Sequence, residues 1–213
     1  MSELRLIGDV HGRYDQYLEL IKNSEYSLQV GDLGFDYNKL NHLDFTRHRA
    51  IQGNHDNYGI ERHNIFLGDY GVHSFGNIEL FYVRGAWSID WARRVSGYSW
   101  WPEEELSLEE GEKALALYKE LRPRIVVTHE APHICVENVT DPKFSKWFGY
   151  SDVVETRTNQ LLQKMLDFHQ PAYWFFGHYH TCRKFMVPEA DTLFVCIDMI
   201  RDQPTDCYID FSI

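Results

Sequence analysis

Five short segments each close an apolar run with Asp, Asn, His or Glu: Gly8-Asp9-Val10-His11-Gly12, Gly31-Asp32-Leu33-Gly34, Gly53-Asn54-His55-Asp56, Thr128-His129-Glu130 and Gly177-His178-Tyr179-His180. Together they carry enough imidazole, carboxylate and amide groups to hold two metal ions. Mixed ligation of this kind suits divalent first-row metals, Mn foremost and Fe, Zn, Ni or Co as alternatives. An all-oxygen shell would favour Mg or Ca, and a thiolate shell Zn. No cysteine lies in any of the five segments. Two ions about 3.5–4 Å apart can hold a hydroxide and the non-bridging oxygens of a phosphoryl group, which points to phosphoester chemistry. A carboxylate is the natural bridge, because its charge offsets the repulsion between the two dications. An imidazole with a pKa near 6.5 can stabilise a bound phosphate or protonate a departing alkoxide. Asp32 is the candidate bridge and His55 the candidate acid.

These groups must be gathered from distant parts of the chain. Each segment follows a stretch that reads as a strand, at residues 4–7, 26–30, 49–52, 125–127 and 173–176. In an α/β fold the loops just past the strand ends collect along one sheet edge, where a rigid frame presents them together. The glycines fit, since backbone turning sharply beneath a metal needs positive φ or room for close approach.

In this order and spacing the segments resemble the calcineurin-like metallophosphoesterases, whose signature runs GDxHG, GDxx, GNHD or GNHE, a single His after a hydrophobic strand, then GHxH. The resemblance covers residues 8–180. It implies one metal on Asp9, His11 and His180, a second on Asn54, His129 and His178, Asp32 as the bridge, and His55 beside the substrate. It also implies a four-layer αββα sandwich of two mixed β-sheets flanked by helices, and a small member of bacterial or phage type. The protein Ser/Thr phosphatases of the superfamily carry GDxVDRG at the second motif, where residues 31–36 here read GDLGFD. Asp36 is displaced by one residue and no Arg follows, so that class is disfavoured. Arg13, after the first motif, either touches substrate phosphate or is a solvated arginine opening a helix.

Composition narrows the alternatives. A chain of 213 residues with 44% apolar content can build a core, and motifs running end to end without a linker favour one domain over residues 1–213. The balance of 21 basic against 32 acidic residues, a formal charge of −11, argues against stable binding of long nucleic acid. The four cysteines form no CxxC pair and read as reduced thiols. Strand-like sequence begins by Leu4 and no apolar run approaches the ~18–20 residues of a membrane helix. A cytoplasmic protein acting on a small or exposed phosphate ester is expected, with no membrane partner.

Four of the six tryptophans fall in the stretch from Trp87 to Trp101, interleaved with Arg84, Arg93 and Arg94. Rings beside guanidinium groups can hold a nucleobase and a second phosphate, which would make the segment a substrate lid. An aromatic minicore closing over a loop, with the arginines outside, is the favoured reading. The acidic run 103–105 reads as a solvated approach to a helix capped by Ser107 and Glu110, with Ala114, Leu115, Tyr118 and Leu121 on one face. A second helix is expected over residues 152–168, with Val154, Leu161, Leu162, Met165 and Leu166 buried. Strands over 183–187, 192–197 and 207–211 should complete a second sheet. Strand–helix alternation early and successive strands late support mixed α/β packing independently.

Three functional classes follow. A phosphoesterase on mono- or diesters leads, since every ligand position holds a competent residue. A nuclease of the same fold would need a basic cleft. A silent interaction scaffold, as the retromer subunit of this fold has become, would be expected to lose the GNH histidine or a ligand.

Overall fold

Alternate residues of the central strands face two different apolar clusters, and this period of two produces the layering of the molecule. The computed structural model describes residues 2–150, 153–202 and 207–212. Its strands are β1 (Glu3–Ile7), β2 (Tyr26–Gln29), β3 (His48–Ala50), β4 (Tyr70–Phe75), β5 (Ile78–Val83), β6 (Ile125–Thr128), β7 (Tyr173–Phe176), β8 (Arg183–Val187), β9 (Ala190–Cys196) and β10 (Tyr208–Ser212). Its α-helices are α1 (Tyr14–Ile21), α2 (Leu108–Leu121), α3 (Val136–Val139), α4 (Pro142–Trp147) and α5 (Arg157–Phe168).

One sheet has the order β10-β1-β2-β3, with β1, β2 and β3 parallel and β10 antiparallel to β1. The other runs β4-β5-β6-β7-β9-β8, with four parallel inner strands and antiparallel β4 and β8 at its edges. Leu4, Leu6 and Leu28 of the first sheet meet Ile125, Val127, Phe175 and Val195 of the second in a buried cluster between the sheets. The intervening Val126, Trp174, Phe176 and Phe194 turn to the opposite face and pack with Tyr118 of α2 and Leu162 and Met165 of α5. On the far side of the first sheet, Ile7 and Ala50 pack with Tyr14, Tyr17 and Ile21 of α1. The result is the four-layer αββα arrangement. Among the described residues no helix is long and apolar enough to cross a membrane.

The helix signals hold at α2. Ser107 accepts from the Glu110 N–H while the Glu110 side chain reaches back, and the chain leaves through a left-handed Arg122 before Pro123. The second expected helix begins later than residue 152. Thr156 and Asn159 form a reciprocal cap that starts α5 at Arg157, so Val154 precedes the helix, and Asp152 lies outside the described residues. Leu162, Met165 and Leu166 are its buried face, and Leu161 is half-buried.

Two features depart from expectation. Strand β4 was not anticipated, although Gly76-Asn77 joins it to β5 as a two-residue hairpin connection. The last strand does not join the second sheet. It pairs with β1, Glu3 opposite Ser212 and Ile7 opposite Tyr208.

Candidate metal centre

The five motif segments leave the carboxyl ends of β1, β2, β3, β6 and β7. Backbone hydrogen bonds then tie these loops to one another. Val10 and His11 both donate to the Asp32 carbonyl at 2.9 Å, Gly177 donates to the His129 carbonyl at 3.2 Å, and His178 donates to Asp9 Oδ1 at 3.2 Å. The loops are bent hard to do this. His11, Asp32, His178 and His180 all have left-handed backbones, with φ of 47°, 61°, 67° and 51°. Such conformations cost a non-glycine residue free energy and persist where the surroundings enforce them, typically at functional sites. A Cβ at Gly53 would collide with Asp32 Oδ1 and His129 Nε2, so that position accepts only glycine.

The side chains converge in two overlapping sets. Asp9, His11, Asp32 and His180 offer ligand atoms within 4.8 Å of one another, as do Asp32, His129 and His178. Asp32 belongs to both. His11 Nε2 lies 3.8 Å from both Asp9 Oδ2 and Asp32 Oδ2, and 2.9 Å from His180 Nε2. His129 Nε2 lies 3.2 Å from Asp32 Oδ1 and 3.1 Å from Asn54 Oδ1, which adds Asn54 to the second set. His129 Nδ1 is 2.9 Å from the Val30 carbonyl, leaving Nε2 turned inward.

The donor set passes a direct test of fit for divalent ions. Asp9 Oδ2 and Asp32 Oδ2 are buried without a hydrogen-bond partner, although His180 Nε2 approaches the former at 3.1 Å. A buried carboxylate oxygen left in that state is costly unless a cation faces it. Burial pushes the Asp9 carboxyl up, but the His180 imidazole and the charge on His129 hold it below the usual range. Asp32 is opposed by burial in the same way and is held well down by His129 and His55. Burial opposes a charge on His129, yet Asp32 raises its pKa to about 10, while burial and then His129 lower His178 to about 3. Both carboxylates are therefore ionised and ready for cations.

His55 is built into the edge of this cluster. Its backbone N–H donates to Asp32 Oδ1 at 2.7 Å, and its ring meets that of His11 edge-on at 5.4 Å. Burial lowers its pKa, with Asp32 pulling in the opposite direction. Asp56, next in the chain, is the loop's internal brace. Its carboxylate accepts N–H bonds from Asp32, Gly34 and Gly53 at 3.0, 2.9 and 2.7 Å. Burial and the nearby Asp32 raise its pKa to about 7.

Asn54 is positioned by three residues whose roles went unread in the sequence. Its Nδ2 donates to Ser88 Oγ at 2.9 Å, and Ser88 donates to Glu104 Oε2 at 2.5 Å. Arg94 donates to Ser88 Oγ at 2.5 Å and to the Asn54 carbonyl at 3.1 Å, and pairs with Glu104 at 3.2 Å. Glu104 is thus no solvated acid. It is 2% exposed, and burial raises its pKa to about 8 against the pull of Ser88, Arg94 and the Trp101 N–H. Glu130 is similarly buried, bonded to the Tyr179 hydroxyl and to the Ala131 N–H, and burial raises it to about 7.

The four candidate arginines are dispersed. Arg84 is buried, and its guanidinium bonds Asp69, the Tyr58 hydroxyl and the Glu103 carbonyl. Arg94 is committed to the Asn54 support just described. Arg93 lies over the rings of Trp147 and Phe148, 5.0 and 4.7 Å from their centroids. Arg13 pairs with Asp202 at 2.6 Å. The aromatic stretch also divides. Trp101 is buried against Phe35 and Tyr58, as a minicore requires, whereas Trp87 lines a cavity of about 710 Å³ that opens from the metal cluster.

No curated protein sequence matches the chain. Among solved structures it is similar to phosphopantetheinyl hydrolase from Mycobacterium tuberculosis, with 14% identity and a TM-score of 0.53 over 99% of this chain and 95% of that one. It is also similar to a conserved protein from Streptococcus pneumoniae TIGR4 described as a predicted phosphoesterase, with 13% identity and a TM-score of 0.45 over 99% and 83% of the two chains. A novel phosphatase from Mycoplasma pneumoniae shows 10% identity and a TM-score of 0.45 over 93% and 72%. The first of these likenesses bears on the fold alone. The calcineurin-like phosphoesterase profile matches residues 4–182, a span that takes in all five motif segments and all seven converging ligand positions, and the chain therefore belongs to the calcineurin-like phosphoesterase family.

Proposed function

We propose that this protein hydrolyses phosphate esters with two divalent ions, Mn foremost, held by Asp9, His11 and His180 on one side, by Asn54, His129 and His178 on the other, and by Asp32 between them. The observation that carries the reading is the convergence of two buried carboxylates, Asp9 and Asp32, among imidazoles, with Asp32 Oδ2 left without a hydrogen-bond partner and Asp9 Oδ2 met by His180 Nε2 at 3.1 Å. When bound, such ions lower the pKa of water and neutralise phosphoryl charge.

The chain's own groups supply the rest. The left-handed turns at His11, Asp32, His178 and His180 fix the imidazoles and carboxylates before any ligand arrives, so little reorganisation accompanies binding. His55, tethered through its backbone to Asp32, faces the cavity and gives its proton to the departing alkoxide oxygen. A phosphate dianion beside it favours the charged imidazolium, opposing the effect of burial. Asp56 holds the loops of Asp32 and His55 in register.

A small or exposed phosphate ester in the cytoplasm fits better than a nucleic-acid polymer, because the chain carries a formal charge of −11. Apoprotein reconstituted separately with Mn²⁺, Ni²⁺, Zn²⁺ and Mg²⁺ tests the reading against para-nitrophenyl phosphate and bis-para-nitrophenyl phosphate. Turnover with a first-row metal is expected, and the preferred ester assigns mono- or diesterase. Inactivity with every metal would overturn the proposal and restore the scaffold alternative.

A further inference from the structure

The cavity that opens from the metal cluster encloses about 710 Å³, within the range of small-molecule sites and far more than a phosphoryl group fills. Its outer part must therefore receive the alcohol side of the ester. Beyond the metal-cluster residues the lining includes Trp87, Ile89, Val136, Val139, Phe148 and Val154, an apolar surface whose larger ring is that of Trp87. Trp87 is held edge-on to Tyr150, with centroids 5.5 Å apart, which fixes the plane it offers.

The charge of the lining is as informative as its shape. Apart from the imidazoles, Arg183 is the cationic side chain among the described residues that line the cavity, and its guanidinium also donates to the Asn138 carbonyl. Asp90, Glu130 and Asp141 line the same space. Arg84, Arg93 and Arg94, the sequence candidates for meeting a second phosphate, are absent from the lining and engaged elsewhere. A leaving group bearing its own phosphate would face Asp90 and Asp141 with one guanidinium, that of Arg183, to offset them, and like charges brought together in a cleft are penalised.

Resting on the phosphoesterase reading above, we propose that the cleft selects esters whose leaving group is an uncharged alcohol of nucleoside size, its aromatic ring seated against Trp87, and rejects leaving groups that carry a second phosphate. Trp87 is then a specificity-determining residue. Aromatic walls take bases with little sequence preference, since every base has a π-face.

The test compares kcat/KM of the metal-loaded enzyme for adenosine 5′-monophosphate, glycerol 2-phosphate and adenosine 3′,5′-bisphosphate. The monophosphate should exceed each of the other two by about tenfold or more, the factor that ~1.4 kcal/mol provides. Trp87→Ala should lower the value for the nucleotide, through KM, about tenfold more than the value for glycerol phosphate, and Trp87→Phe should restore most of it. Asp141→Asn keeps the cap that Asp141 makes to the Lys143 N–H, because Asn caps equally well, and should raise bisphosphate turnover relative to the monophosphate. Equal rates on all three substrates, or a preference for the bisphosphate, would overturn this inference while leaving the phosphoesterase reading intact. Inactivity toward all three and toward both para-nitrophenyl phosphate and bis-para-nitrophenyl phosphate would overturn both.

Discussion

The backbone N–H of His55 donates to Asp32 Oδ1 at 2.7 Å, so the candidate proton donor hangs from the carboxylate shared by both ligand sets. The position of His55 is thereby tied through the main chain to that shared carboxylate, while the imidazole itself stays outside the ligand sets.

That separation makes His55→Ala informative. The variant should lose about 10²- to 10⁴-fold in kcat, the usual contribution of general acid–base catalysis, while binding two equivalents of metal as the parent does. Steady-state kinetics beside metal analysis of the same sample checks this. Unchanged kcat would remove His55 from the mechanism.

Among the described residues Ser88 reaches the second ligand set through Asn54. Ser88→Ala deletes the acceptor for Asn54 Nδ2 and the link to Glu104, and leaves every ligand in place. Loss of such an outer partner typically weakens metal binding about 10–100-fold. Calorimetric titration should show one of two sites weakened by that amount. Two unaltered sites would mean that Ser88 only packs.

Metal binding should appear as stability. At about 100 times Kd a ligand adds ~2.7 kcal/mol, which for a chain of this length is a rise in Tm of roughly 5–10 °C. Asp32→Asn should abolish most of the rise because it damages both sets, whereas Asn54→Ala should retain part. A full rise in the Asp32→Asn protein would show that Asp32 is not shared.

Glu104 yields a test in pH. Burial raises its folded-state pKa from an ordinary 4.5 to about 8. Between those values the unfolded chain has released a proton that the folded chain retains, so the stability from Glu104 is complete below about 4.5 and is lost as pH rises through about 8. Glu104→Gln has no proton to lose. The difference in stability between parent and variant, from denaturant melts across this range, should shift in favour of the variant as pH rises. A constant difference would place the Glu104 charge elsewhere.

The convergence of the candidate ligands was legible in the sequence because each sits directly past a strand in a segment of one to three chemistry-bearing residues, and parallel strands bring their carboxyl ends together whatever lies between. The support of Asn54 was not. Glu104 belongs to a run of three glutamates that looks like any solvated acidic stretch, and only its contact with Ser88 and Arg94 across two loops gives it a role. Arg94 was noticed as a cation, but its partner is the protein and not a substrate. The pairing of β10 with β1 was equally hidden, since strand propensity names no partner and these residues lie at opposite ends of the chain. The hairpin at Gly76-Asn77, by contrast, carried a readable turn signal.

The central claim is that two ions bridged by Asp32 are needed for phosphoester hydrolysis. Titrating apoprotein with Mn²⁺ while following turnover of para-nitrophenyl phosphate and bis-para-nitrophenyl phosphate, with bound metal measured at each point, tests it most directly. Activity that climbs to a plateau at two equivalents of metal, and is lost in Asp32→Asn, is the expected result. A plateau at one equivalent, or no turnover at any loading, would contradict the account.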